Sequence, residues 1–278
     1  MQEIYKNIYI ETKFSGVVVG AIYTPHGLIF IDAPFRIEEV REWRNALSEI
    51  YGSTERILIN LDTHLDRTLG VKSMDSAVIA QTNAVTMIKN RPNTSRAQEM
   101  DAGAMWESYD GLSNIRWVTP ELIFEERLDL EWGEYRVILE HHIGGNAAGV
   151  WVNIPEAKVL FVGDSVVVDQ PPFLAFADFD NWIEDLMLLT STEYRNYTII
   201  GGRNGIVSRE DIQELLKFIR SLQRSLERIS GKEKDTESLN RLAEKLTLHF
   251  ENKKSIGDVF LNRLKWGLSA YYELHFQS

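Results

Sequence analysis

Asn60-Leu61-Asp62-Thr63-His64-Leu65-Asp66-Arg67-Thr68-Leu69-Gly70 carries more chemistry than any other stretch of this chain. Asp62, His64 and Asp66 alternate, so an extended loop can turn all three toward one centre. Carboxylates and an imidazole converging in this way are ligands for a divalent cation. Arg67 stands at the edge of that centre with a charge that no accessible pH removes. Directly before the cluster, Arg56-Ile57-Leu58-Ile59 is an apolar run suited to a buried strand. The cluster is therefore expected where a strand ends and a loop begins, a usual place for chemistry in layered α/β folds.

The elements that must position these residues recur along the chain. Gly20-Ala21-Ile22-Tyr23 and Gly27-Leu28-Ile29-Phe30-Ile31-Asp32 read as a hairpin, with Asp32 ending a core strand near the site in a structural role. Val118-Thr119-Pro120 through Trp132-Gly133 reads as a strand pair. His142-Ile143-Gly144-Gly145-Asn146 is a loop, and Lys158-Val159-Leu160-Phe161-Val162-Gly163-Asp164-Ser165 a strand ending in an acid. Ile199-Ile200-Gly201-Gly202-Arg203-Asn204-Gly205 is a further strand and loop. Gln81-Thr82-Asn83 caps a helix after the strand Ala77–Ala80, with Arg91-Pro92-Asn93 ending it and an insertion over Ala97–Gly111. Ser208-Arg209-Glu210-Asp211 is a capping sequence before Ile212, Leu215, Leu216, Ile219 and Leu222 at helical spacing. After a polar break at Gly231–Asp235, Leu239, Leu242, Leu246 and Phe250 mark a second helix, and Val259–Tyr272 a third.

In this order the elements resemble the metallo-β-lactamase superfamily, across roughly residues 1–220. The family motif is Asn-Thr-His-x-His-x-Asp-His followed by Leu-Gly or Gly-Gly. Laid on without gaps, Asn60, His64, Asp66, Leu69 and Gly70 match, while Asp62 replaces the first His and Arg67 the third. A rival register makes His64 the first His and deletes two residues. His142 and its glycines resemble the His-Thr-Pro-Gly-Ser loop, and Gly163-Asp164 the Gly-Asp element whose Asp bridges two metals. Arg203 occupies the last His position of the Pro-Gly-His-Gly loop. The resemblance implies an α/β fold, an αββα sandwich over residues 1–207 with a C-terminal helical extension over 208–278.

It also implies the site. Asp62, His64 and His142, with Asp164 nearby, stand where the first metal is held; Asp66, Arg67 and Arg203 stand where the second is held. Arginine cannot ligate, and a guanidinium about 4 Å from a divalent ion costs about 8 kcal/mol at an effective dielectric near 20. The second metal site is therefore expected to be lost. One divalent transition metal remains an option, with the extra carboxylate moving the preference from zinc toward manganese or ferrous iron. In that reading the chain is a hydrolase for an anionic ester, thioester or phosphoester. The ion activates water, Asp66 orients it or serves as base, and Arg67 and Arg203 stabilise the anion. The alternative uses the same residues without metal. Three aspartates against two arginines leave one negative charge, so the cluster can satisfy itself as a buried salt-bridge network in a binding or structural module.

Composition narrows the partners. A chain of 278 residues with 44% apolar content buries one large core plus an appendage. The absence of cysteine removes disulfides, thiolate zinc sites and a cysteine nucleophile. A net charge of −11 disfavours a broad nucleic-acid footprint, and the small molecule expected as substrate is anionic. No apolar run reaches the roughly 20 residues that span a bilayer, and Met-Gln-Glu-Ile-Tyr-Lys lacks a signal-peptide core, so a cytoplasmic location is expected. The C-terminal helices are expected to pack on the outer face of the sandwich. Trp266, Tyr271, Tyr272, Leu274 and Phe276 make a sharper alternative, a lid or a homodimer contact. His141 competes with His142 as a ligand, and Phe173, Phe176 and Trp182 are candidates to line a pocket after Asp164, or to pack the core.

Overall fold

A computed structural model describes residues 1–52, 54–91, 102–108, 117–230, 236–250 and 258–276. Pro92 and Asn93, most of the insertion expected over 97–111, and the polar break at 231–235 lie outside the described residues. The first sheet holds seven strands in chain order: β1 (Gln2–Tyr5), β2 (Ile8–Glu11), β3 (Val19–Thr24), β4 (Gly27–Ile31), β5 (Arg56–Ile59), β6 (Ala77–Gln81) and β7 (Leu122–Phe124). The second holds six, namely β8 (Arg127–Glu131), β9 (Arg136–His141), β10 (Val150–Ile154), β11 (Val159–Gly163), β12 (Thr198–Gly201) and β13 (Gly205–Val207). β4, β5, β6 and β7 run parallel, as do β11 and β12; the other neighbours are antiparallel. The helices are α1 (Ile37–Tyr51), α2 (Leu65–Thr68), α3 (Val71–Met74), α4 (Thr82–Lys89), α5 (Phe179–Leu189), α6 (Arg209–Ser230), α7 (Thr236–Thr247) and α8 (Asp258–Phe276).

Alternation along each central strand creates the layers. In β4 and β5, Ile29, Ile31, Ile57 and Ile59 face the second sheet, while Leu28, Phe30 and Leu58 face the helix layer of α1 and α3. In β10 and β11, Val150, Val152, Val159 and Phe161 fill the space between the sheets, and Trp151, Leu160 and Val162 face the opposite helix layer. Strands covered on both faces read as continuous apolar runs, as these do. The result is the expected helix, sheet, sheet, helix stack, an αββα sandwich.

The helix boundaries follow local chemistry. Gln81 caps α4 by accepting from the Asn83 amide at 2.6 Å, and Asp178 caps α5 by accepting from Asn181 at 3.0 Å. Before α6, Asp211 accepts from the Ser208 amide at 2.8 Å and the Ser208 hydroxyl from the Asp211 amide at 3.1 Å. This is a reciprocal capping box. From α6, Ile212, Ile219, Leu222 and Leu226 enter the same cluster as Trp182 and Leu186 of α5. Each such side chain contributes about 1.5–3 kcal/mol by burial. Leu239 and Ala243 of α7 and Leu264, Leu268, Tyr271 and Tyr272 of α8 complete that cluster, with Tyr271 stacked on Phe179 at 4.1 Å. The C-terminal helices thus share a core with the second sheet's outer face. Among the described residues no helix is long and apolar enough to cross a membrane.

Candidate functional site

The candidate centre lies at the ends of β4, β5, β11 and β12, where the chain leaves each strand. After β5 the loop is fixed from two sides. Asn60 donates its amide to the Ile79 carbonyl at 3.0 Å, and Leu61 donates to Asp32 at 2.9 Å. Asp62 folds back to accept from the His64 amide at 2.8 Å, after which the single turn of α2 begins. Asp66 and Arg67 sit on that turn, and both are buried. Asp32 ends β4 with φ +56°, a left-handed conformation that costs a non-glycine residue and persists where surroundings hold it.

Arg67 is the middle of the site. Its side chain is fully buried and reaches three carboxylates: Nη1 to Asp32 at 3.0 Å, Nε to Asp62 at 3.2 Å and Nη2 to Asp164 at 2.5 Å. Arg203 closes the other side. Its Nε meets Asp164 at 2.8 Å, and its Nη1 donates both to Asp66 at 2.7 Å and to the Gly16 carbonyl at 2.9 Å. Asp164, the residue expected to bridge two ions, instead bridges two guanidiniums, one on each oxygen. Asp66 gives its second oxygen to the Trp106 amide at 2.9 Å, so both its oxygens are engaged.

Three glycines make room for this packing. A Cβ on Gly202 would lie 2.8 and 2.9 Å from the Arg67 Nη atoms and 2.9 Å from Asp164. One on Gly16, whose φ is +76°, would lie 3.0 Å from the Asp66 carboxyl carbon. Gly163 turns with φ +55° beside Arg67. At Gly202 an added side chain would have to displace the charged groups, and Gly16 and Gly163 hold positive φ.

The charges explain the titration behaviour. Four aspartates face two arginines, which leaves the cluster two negative charges in excess if every acid ionises. Burial pushes the Asp32 carboxyl up to about 7, the nearby Asp62 charge adds to the shift, and Arg67 opposes it. Burial also raises Asp164, but Arg203, Arg67 and His64 outweigh it and hold the carboxyl well below the usual range. Arg67 is held above its ordinary value: burial lowers it, and Asp164, Asp62 and Asp32 more than compensate. Arg203 is raised likewise by Asp164 and Asp66 against burial.

The other expected ligands divide. Asp62, His64 and Asp164 each offer one donor atom within 4.8 Å of the others, and His64 Nε2 lies 3.5 Å from Asp164. His142 is not in that group. Its Nδ1 pairs with Asp185 at 2.7 Å and its ring stacks on Trp151 at 3.6 Å. His141 is directed to the Ala147 carbonyl at 3.0 Å. Arg67 and Arg203, expected to face an anionic substrate, face aspartates, because each is buried with acids within reach. Arg203 nevertheless keeps one buried donor, Nη2, without an acceptor among the described residues. Phe173 lies against His64 at 4.6 Å between ring centroids. Phe176 borders a pocket of about 190 Å³ with Thr63, His64, Met87, Arg91 and Asn146. Trp182 belongs to the core and donates to the Ser165 carbonyl at 2.8 Å.

The sequence reading understated Asp32 and missed Asp185. Asp32 had one signal, an acid at the end of a strand otherwise made only of apolar residues and glycine. Asp185 had none, being one of several acids on a helix 43 residues from its histidine.

Solved structures agree with this architecture. A metallo-β-lactamase from Pontibacter korlensis aligns over 79% of this chain and 97% of its own, with 17% identity and a TM-score of 0.61. The DIM-1 metallo-β-lactamase aligns over 80% of this chain and 96% of its own at 15% identity and a TM-score of 0.61. This chain has the metallo-β-lactamase fold. The inverting sec-alkylsulfatase Pisa1 from Pseudomonas sp. aligns over 98% of this chain at 14% identity and a TM-score of 0.69, so that likeness takes in the C-terminal helices. The chain spans 49% of that larger protein. No protein-family model matches the sequence, and no curated protein matches it. Asp62, Arg67 and Arg203, the positions at which the sequence differs from the motifs it resembles, all lie in the charged cluster.

Proposed function

We propose that this protein uses the metallo-β-lactamase fold without a metal pair, its centre filled by Arg67 and Arg203, and that it binds a small anionic organic molecule beside that centre. The observation that carries this reading is Arg67, fully buried with one guanidinium nitrogen toward each of three carboxylates. A divalent ion among those carboxylates would meet a fixed positive charge, at a cost of about 8 kcal/mol for a separation of about 4 Å. The donors of the second site do not fit an ion, because Arg67 and Arg203 supply no lone pair. An anion fits better. The unsatisfied Nη2 of Arg203 is a buried donor, and such groups are normally paired, so an acceptor oxygen from outside the chain suits it. A pocket bordered by His64 lies beside the centre, lined also by Asn146, the apolar Met87 and Phe176, and Arg91, which donates to Thr63 and Thr68. Its volume of about 190 Å³ suits a ligand of few heavy atoms.

A second reading has one observation in its favour, the convergence of Asp62, His64 and Asp164 within 4.8 Å. Two carboxylates and an imidazole hold one zinc, manganese or ferrous ion with a position left for water. The chain would then be a hydrolase with a single ion, acting on an ester-, thioester- or phosphoester-type anion. Elemental analysis of the untreated protein separates the readings. The metal-free reading expects under about one-tenth equivalent of transition metal and no thermal shift with Zn²⁺, Mn²⁺ or Fe²⁺. It also expects phosphate or sulfate to raise the melting temperature of the wild type and not of Arg203→Ala. One equivalent of metal, lost in His64→Ala, establishes the single-ion hydrolase instead. Two equivalents overturn both.

A further inference from the structure

The C-terminal helix α8 reaches the centre through one aromatic ring. Arg263 of α8 is fully buried, an unusual place for a guanidinium. Its Nε donates to the Gly103 carbonyl at 2.8 Å, and its Nη1 donates to the Pro171 carbonyl at 2.7 Å and to Gln170 at 2.9 Å. The same guanidinium lies 4.1 Å from the centroid of Phe173. On its other contacts Phe173 meets the Arg203 guanidinium at 4.5 Å and the His64 ring at 4.6 Å.

The next residues on the same face of α8 continue along the loop. Gly267 packs so closely on Leu174 that an added Cβ would lie 3.2 Å from the Leu174 Cβ. Trp266 meets the Phe176 ring edge-on at 6.2 Å. Positions 263, 266 and 267 share one helical face by their three- and four-residue spacing. Together they follow the loop from Pro171 to Phe176, whose last residue borders the pocket beside His64. Gly103 allows no side chain here, since a Cβ would come within 2.5 Å of the Arg263 backbone.

We infer that Arg263 is a positioning residue: by gripping the Gly103 and Pro171 carbonyls and the Phe173 ring, it holds that ring against His64 and Arg203 and so shapes the pocket from the C-terminal helix. Cation–aromatic contacts are strongest when desolvated, as both guanidiniums are here. A helix that merely covered the sandwich would need apolar residues at this position, not a buried charge that draws two loops together. The inference rests on side-chain geometry and holds whether the centre carries one ion or none.

Nuclear magnetic resonance of the histidine imidazoles tests it, with the His64 signals assigned through His64→Gln among the six histidines of the chain. Phe173 lies close enough to displace those signals by its ring current, so Phe173→Leu sets the full displacement. Arg263→Met is expected to move the His64 signals by at least half of that displacement. Arg263→Lys, which keeps the charge and loses the fork, is expected to move them the same way and less far. Lys265→Met, on a more exposed position of α8, is expected to leave them in place. If Arg263→Met does not fold, the Lys variant alone decides. His64 signals that stay at their wild-type positions in the folded Arg263 variants would overturn the inference, and a purely structural α8 gives that result.

Discussion

Replacing Arg67 with methionine removes the charge on which the centre is built while keeping most of the side chain's bulk. Three buried carboxylates, Asp32, Asp62 and Asp164, then lose a partner that stood 2.5–3.2 Å away. Breaking a buried pair by deleting one member costs about 3–5 kcal/mol, because the remaining charge stays out of water. At roughly 2–4 °C per kcal/mol for a domain of this size, the melting temperature should fall by about 6–20 °C. The fall is limited by protonation, since the freed carboxylates can take up protons instead of remaining charged. The same substitution removes the repulsion toward a cation and leaves Asp62, His64 and Asp164 as donors. Added Zn²⁺ or Mn²⁺ should therefore stabilise Arg67→Met, by about 2.7 kcal/mol at a hundredfold excess over its dissociation constant, and leave the wild type unchanged. Differential scanning fluorimetry with and without the ions measures both effects. A variant that melts within a degree of the wild type, or a wild type that gains as much from zinc as the variant, would refute the reasoning.

Two other perturbations test the same cluster. Asp32 titrates near 7 in the folded protein against an ordinary value of 3.8, so the folded state holds a proton that the unfolded chain releases. Its contribution to stability falls as pH rises through that window. Asp32→Asn should therefore show a flatter dependence of unfolding free energy between about pH 4 and 7 by urea titration; parallel curves for the two proteins would count against the assignment. Asp164 has the opposite sign, giving stability that is lost in acid as its carboxyl protonates, and this loss should remain in the variant. Gly202→Ala should cost about 1–3 kcal/mol by overpacking, because its methyl group would lie 2.8–2.9 Å from the Arg67 nitrogens and Asp164. Unchanged thermal unfolding of that variant would place the guanidinium elsewhere.

Much of the layering was legible because strand periodicity is a local property. The apolar runs 28–31, 57–59 and 159–162 are strands buried on both faces, and the caps at Gln81 and Ser208 start helices. The un-gapped motif over residues 60–70 singled out Asp62 and Arg67, the loop 199–205 singled out Arg203, and all three are in the cluster. What the sequence withheld was which way each charged group turns. Asp62, His64 and Asp66 alternate, yet only the first two converge with Asp164, because the α2 turn carries Asp66 toward Arg203 and the Trp106 amide. His142 pairs its Nδ1 with Asp185, an acid 43 residues later that no spacing in the sequence ties to it. Arg263 lay in an apparently ordinary amphipathic helix, and its partners at Gln170 and Gly103 are 93 and 160 residues away. Such pairings depend on which loops meet at the strand ends, and no periodicity records that.

On the proposed reading, in which guanidiniums stand where ions would, the rest of the cluster's composition follows. A divalent ion is compact and accepts ligands from all sides, whereas a guanidinium is planar and presents donors along its edge. Three carboxylates around one guanidinium therefore approach it along its edge, one toward each nitrogen. Glycine backbone lies close beside the cluster, at Gly202 and Gly163 near Arg67 and at Gly16 near Asp66. Two guanidiniums supply two positive charges where two divalent ions would supply four, so two of the four aspartate charges go uncompensated. A proton on Asp32, the most deeply enclosed of them, whose carboxyl burial pushes up to about 7, lowers that excess to one. On that reading, the raised carboxyl of Asp32 and the bare backbone at Gly202, Gly163 and Gly16 are counterparts of the two arginines.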